Sequence, residues 1–162
     1  MALRLVVVLS AALASACAGP ERVIGVGERI HHDDFDYSVT RVRTMQTLGG
    51  RTASDRFLIV TFRVDNHARR VSHEWSNSTA YVVDESGRAF DNNVTAQRAL
   101  ADREHFDVRD VYVTAPGDSG STELVFDLPA DVKQPMLKVR GYVLMGDVFD
   151  LAQFSRTRIR LF

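Results

Sequence analysis

The sequence holds a single cysteine, Cys17, among 162 residues. One thiol excludes an intramolecular disulfide framework and any cysteine-based zinc cluster. Neither sign of charge prevails: 20 Lys+Arg stand against 21 Asp+Glu, a formal net charge of −1. That balance argues against a disordered acidic tail and against a general nucleic-acid binder. Lysine is scarce, two residues against 18 arginines, so arginine number alone reflects composition more than phosphate recognition. No apolar run reaches the roughly 20 residues that a transmembrane helix needs. G-x-S-x-G, H-E-x-x-H, C-x-x-C and the D-x-[DN]-x-[DN]-G calcium loop are all missing. The sequence therefore supplies no catalytic residues and calls for no cofactor, and the chain reads as non-enzymatic.

What is present begins with an address. Met1 to Arg4 is a short basic start, Leu5 to Ala14 is an apolar run, and the small residues Ala14-Ser15-Ala16 precede Cys17. This is the layout of an export signal. Leu13-Ala14-Ser15-Ala16-Cys17 also resembles a bacterial lipobox, although Ala14 stands where leucine is usual. The expected organisation is a signal peptide over 1–16 of lipoprotein type, a tether over 17–22 and one domain over 23–162. Cys17 is the expected lipidation site, since acyl chains contribute about 0.8 kcal/mol per buried CH₂ and hold a protein at a membrane. Lipid anchoring on the extracytoplasmic side follows, with simple secretion as the alternative.

The rest reads as β-structure, with turn residues every 8–12 positions. Phe35, Tyr37 and Val39 share one strand face, with Asp36 and Ser38 opposite; Arg41 and Arg43 then fall on the apolar parity, which predicts a bulge or an exit from the core. Leu48-Gly49-Gly50-Arg51 predicts a turn. Phe57 to Asp65 is the strongest strand, with Leu58, Val60, Phe62 and Val64 inward. Phe57 and Ile59 extend the apolar run and predict a central strand covered on both faces. Glu85-Ser86-Gly87 and Pro116-Gly117 are further turns, and Leu124, Phe126 and Leu128 make another inward face. Only Asn92 to Phe106 suggests helix, one or two turns within Thr95 to Glu104. The expected fold is all-β: an antiparallel sandwich of about 7–9 strands.

The order Gly25-Val-Gly-Glu28, Asp34-Phe-Asp-Tyr37-Ser-Val39, Phe57 to Asn66, Asp84-Glu-Ser-Gly-Arg88-Ala-Phe90, Pro116-Gly-Asp-Ser119 and Glu123 to Pro129 resembles a known series. It is similar to the telokin-like, immunoglobulin-like β-sandwich family of unknown function found on bacterial lipoproteins and secreted antigens. The resemblance spans residues 23 to 162. It implies an immunoglobulin-like fold, an extracytoplasmic location and a binding role, and carries over no catalytic residues. The segments 92–106 and 146–155 depart from the compact family pattern.

Several groups merit inspection. His31, Asp33 and Asp34, with His32 and Asp36 beside them, form the most metal-like cluster, although adjacent residues on extended chain point apart, and a solvated turn is the plainer reading. Glu104-His105-Phe106-Asp107 pairs an imidazole with carboxylates but lacks a nucleophile. Gly117-Asp118-Ser119-Gly120 matches the string around a serine-protease nucleophile by chance, because the rest of such an enzyme is missing. Arg156, Arg158 and Arg160 alternate with Ile159 and Leu161, giving either a patch for an anionic partner or a charged strand that discourages edge pairing. Trp75, in a polar stretch, either anchors a partner or folds back over the core. The expected role is protein interaction in the cell envelope through an unknown partner protein, with the membrane held by Cys17 and no nucleic acid. The alternative is an extracytoplasmic small-ligand or metal-ion binding module.

Overall fold

The structure, a computed structural model, is described over residues 21–140 and 154–162. The expected signal peptide, Cys17 and most of the 146–155 segment lie outside these residues. The described chain forms β1 (Arg22–Ile24), β2 (Arg29–His32), β3 (Phe35–Leu48), β4 (Arg51–Asn66), β5 (His73–Trp75), β6 (Ala80–Val83) and β7 (Ala89–Phe90). Then follow helix α1 (Val94–Glu104), β8 (Tyr112–Thr114), β9 (Ser119–Leu128), β10 (Met136–Val139) and β11 (Thr157–Arg160). A five-stranded sheet ordered β1-β11-β10-β6-β7 faces a four-stranded sheet ordered β2-β3-β4-β9, and β5 pairs with β8 in a separate ribbon.

The all-β sandwich expected from the pattern is the observed fold. The strands number eleven among the described residues, above the expected 7–9, because short pieces such as β2 and β5 carry too few residues to show a period. One pairing is parallel: β1 runs alongside β11 in the direction of its partner. All other pairs are antiparallel.

The core follows from strand parity. Leu58, Val60, Phe62 and Val64 of β4 meet Leu124, Phe126 and Leu128 of β9, Tyr37 and Val39 of β3, and Val82, Leu137 and Ile159 of the opposite sheet. The parity change at Arg41 is a bulge: register shifts between Val39 and Arg41, so Val42 returns inward opposite Val60 and Arg43 turns out. An extra residue on one strand resets which face its side chains take. Asp36, expected on the outward face, is nonetheless buried, because His31 and His67 cover it.

The outward face of β4 is covered by α1. Phe57 and Ile59 join Leu48, Val125, Ala96 and Leu100 in a second apolar cluster. The helix runs eleven residues, beyond the one or two turns expected. Its ends explain the length: the Asn93 side chain accepts from the Ala96 N–H at 3.0 Å, and His105 adopts a left-handed conformation that returns its N–H to the Ala101 carbonyl. Such caps satisfy groups that a helix leaves open.

The hairpin joining β6 and β7 turns on Asp84. Its carboxylate accepts from the N–H and hydroxyl of Ser86 and from the N–H and Nε of Arg88. Burial alone would raise this carboxyl; the bonds from Ser86 and Arg88 outweigh it and hold the pKa down at about 2. A depressed carboxyl stabilises the fold above its unfolded value near 4, and that contribution disappears as pH falls through the folded value near 2. Asp84→Asn is therefore expected to flatten the loss of stability between about pH 4 and pH 2, measured by denaturant titration across that range.

Candidate functional site

The four-stranded sheet ends at β9, and the chain leaves that edge in two states. Beside the helix start, the Val125 N–H donates to Asn92 Oδ1 at 2.8 Å, the Asn93 N–H donates to the Val125 carbonyl, and Gln97 Nε2 donates to the Glu123 carbonyl at 2.7 Å. Side chains there stand where another strand would. Gln97 is fully buried, and its amide also donates to Asn77 Oδ1 at 2.9 Å while its Oε1 accepts from Asn92. Nothing in the helix pattern marked Gln97; a lone amide between alanines and a leucine was the available signal.

Towards Ser119 the same edge opens onto a cleft of about 540 Å³. Its walls are Ser119 to Glu123 with Thr61, the residues Glu104, Phe106, Asp107 and Arg109, and β8 with Trp75 behind it. The Trp75 ring stacks on Tyr112 with centroids 4.4 Å apart, and its Nε1 donates to Thr114 Oγ1 at 2.9 Å. The Tyr112 hydroxyl lies 2.8 Å from Thr122 Oγ1 and accepts from the Arg109 N–H at 3.2 Å. Gly120 makes this arrangement possible: a Cβ there would stand 3.0 Å from Thr114 Oγ1 and 3.2 Å from the indole.

Charge at the outer lip is mostly neutralised. Arg43 binds both oxygens of Glu104 at 2.6 Å and also reaches Glu123, which accepts from the Thr61 hydroxyl at 3.1 Å. The bond to Glu104 outweighs burial and holds Arg43 firmly charged, and it keeps the Glu104 carboxyl below its ordinary range. Arg109 remains at the rim, 62% exposed, with Asp107 at 3.4 Å. The cleft wall includes no histidine, and Ser119 Oγ accepts from Arg63. The Glu104 to Asp107 stretch therefore forms a helix cap and a cleft wall.

The other sequence candidates separate. Of the two readings of Trp75, the fold-back over the core is the one observed: it is 2% exposed, because stacking and its bond to Thr114 satisfy both ring and N–H. Only its edge reaches the cleft, so it is no exposed anchor for a partner. Arg158 and Arg160 keep the expected alternation about Ile159, but Arg156 lies in the helical turn before β11, and β11 lies between β1 and β10 and protects no edge. Arg158 is bound by Glu21, which parts the stripe, so these three are not a run of free cations.

His31 and His32 diverge as adjacent strand residues must. His32 turns inward and stacks on Phe154 with centroids 4.3 Å apart. His31 Nδ1 lies 2.7 Å from Asp36 Oδ1, while His67 Nε2 approaches Asp36 Oδ2 at 3.0 Å. Burial raises the Asp36 carboxyl, but these two imidazoles more than offset that and leave it below its ordinary value. Sequence reading missed His67, which lies beyond β4 and meets Asp36 only through the β3–β4 pairing. Asp33 and Asp34 belong to the turn before β3, where Asp33 takes a φ of 52° and the Asp34 carbonyl accepts from the His67 N–H. Among the described residues no group of three or more His, Cys, Asp or Glu is arranged to hold a metal ion. His73 is pressed between Phe35 and the Tyr37 hydroxyl, and burial pushes its pKa down.

Two facing sheets with a lateral cleft at one sheet edge define a small β-sandwich domain. The chain belongs to the family described as domain of unknown function (DUF4352), whose model matches residues 24–148. The fold is similar to the crystal structure of the yjhA protein from Bacillus subtilis, with 14% identity, TM-score 0.59, and 86% of this chain and 99% of that one covered. A conserved hypothetical protein from Bacillus anthracis shares it at 18% identity and TM-score 0.56, over 72% of this chain and 89% of that one. So does MPT63, a secreted protein from Mycobacterium tuberculosis, at 9% identity and TM-score 0.54, over 77% of this chain and 93% of that one. At such identities the likeness shows the fold. No curated protein matches the chain. No helix among the described residues is long and apolar enough to cross a membrane.

Proposed function

We propose that the chain is a non-enzymatic, exported domain that is lipid-anchored through Cys17 and binds another protein in the bacterial cell envelope. Its telokin-like, immunoglobulin-like character belongs to the same reading. The observation that carries the binding role is the cleft at the β9 edge, where a sheet edge, an aromatic floor and an exposed arginine meet. Pockets of about 300–1,000 Å³ with a few convergent polar groups are the usual form of binding sites. The export signal ahead of Cys17 supports the location, and a secreted protein of the same fold agrees with it.

Two measurements test this reading. Cys17→Ser is expected to move the protein from the membrane fraction to the soluble exported fraction and to remove a diacylglyceryl mass from the mature N-terminus. Retention at the membrane would sink the anchor. For the binding role, a photo-crosslinking amino acid at Val113, 62% exposed on the cleft wall, is expected to capture one envelope protein in the producing cells. The same probe at exposed Arg70, away from the cleft wall, is expected to capture none. Equal capture at both positions, or none at Val113, would count against an interaction site here.

A further inference from the structure

We propose that the cleft takes an extended peptide segment of a partner protein as an added strand on β9, with the Ser121 backbone as its central contact. This rests on the interaction reading above and specifies the form of the partner.

Strand geometry carries the first step. Residues of a strand turn their N–H and C=O to alternate sides. Val125 and Glu123 direct theirs away from β4, since Asn92, Asn93 and Gln97 bind them. The β4–β9 register is unbroken from Asp65↔Ser119 to Arg56↔Leu128. Alternation therefore turns the Ser121 N–H and C=O outward as well, into the cleft. No other strand among the described residues pairs with β9 on that side.

Native sheets blunt exposed edges with proline, charge or bulges. Ser119-Gly120-Ser121-Thr122 has no proline and no charge, and its register has no bulge. The helix start closes one half of this edge and leaves the other half open.

The walls choose the occupant. The open stretch Ser119 to Thr122 spans about 10 Å at roughly 3.3 Å per residue, and an added strand would lie about 4.8 Å from β9. Thr61, Glu104 and Phe106 line the cleft on the α1 face of the sheet, and Trp75 and Tyr112 on the core face, where the Arg109 N–H bonds the Tyr112 hydroxyl. At about 540 Å³ the cleft has room for a few residues of one extended strand, whereas the sheet edge of a second copy would bring its flanking strands against the lining residues. In this binding mode backbone hydrogen bonds supply affinity and alternate side chains supply selectivity. One set of peptide side chains would face Thr61, Glu104 and Phe106, and the other Tyr112, Thr122 and Arg109.

The probe is a random twelve-residue linear peptide library panned on the immobilised protein, with enriched peptides measured by fluorescence anisotropy. Ser121→Pro removes the edge N–H, and proline is tolerated where a strand's N–H does not serve the ladder. It is expected to weaken binding at least tenfold, while Ser121→Ala stays within about twofold. Amide exchange on the unmodified protein gives a second readout that needs no variant: the Ser121 N–H should exchange at least tenfold more slowly when peptide is bound. Equal binding by Ser121→Pro, an unchanged Ser121 exchange rate, or no enriched peptide would each overturn the proposal. A concentration-dependent dimer abolished by Ser121→Pro would also overturn it, assigning the edge to a second copy. None of these results bears on whether crosslinking at Val113 captures an envelope protein, so failure of the strand mode and failure of the interaction role remain distinguishable.

Discussion

Trp75→Ala is expected to destabilise the domain by about 3–5 kcal/mol, the range for deleting a buried large aromatic. The ring is buried between Tyr112 on one side and Phe62 edge-on at 5.9 Å, so its removal opens a void that neither rigid neighbour can fill. The Thr114 hydroxyl also loses its indole donor. For a domain of this length the thermal midpoint should fall by roughly 10 °C. Because Trp75 is the sole tryptophan, the variant must be followed by circular dichroism, while the unmodified protein reports unfolding through its own fluorescence. A shift of under about 1 kcal/mol would mean that Trp75 is not the packed floor of this end of the sandwich. The nearby β9 edge should loosen too, since Gly120 rests against the indole.

Gly49→Ala should be the costliest change in any turn. Gly49 sits at the β3–β4 tip with a φ of 54°, and an added Cβ would stand 2.6 Å from the Ala99 Cβ on α1. Positive φ costs an L-residue about 1–2 kcal/mol and overpacking about 1–3 kcal/mol, so the sum is about 2–5 kcal/mol. Gly50→Ala is the internal control: its φ is 76°, but nothing lies within 4 Å of the added carbon, so only the backbone cost of about 1–2 kcal/mol remains. Ala99→Gly should recover the difference between the two glycine variants in the double mutant, beyond its own helix-propensity cost of about 1 kcal/mol. Equal destabilisation by Gly49→Ala and Gly50→Ala in chemical denaturation would show that the hairpin does not press on the helix.

These two sites also mark where sequence reading stops. The parity of β4 and β9 was readable because strand side chains alternate over ten residues or more, and the change at Arg41 was readable because it broke that alternation. Helix α1 was readable as a tendency, but its length depends on Asn93 and His105 as caps and on Leu100 meeting Phe57 and Ile59. His67 meets Asp36 across 31 residues of chain, a pairing that depends on register and on no local signal. Trp75 in a polar stretch could either anchor a partner or fold back over the core, and three-residue β5 decides this by bringing it onto Tyr112 of β8.

The sequence alone determined the fold class and the turns, because hydrophobic alternation and turn residues act locally. It also carried the expected export address around Cys17. Tertiary structure decided the site. Only the packing of α1 over β4 seals one half of the β9 edge with Asn92 and Gln97, and only the pairing of β8 with β5 instead of β9 leaves the other half open at Ser121. Whether a backbone group is paired or free depends on what the rest of the chain brings beside it. Ser121 looks like any serine on a strand until its neighbours are in place.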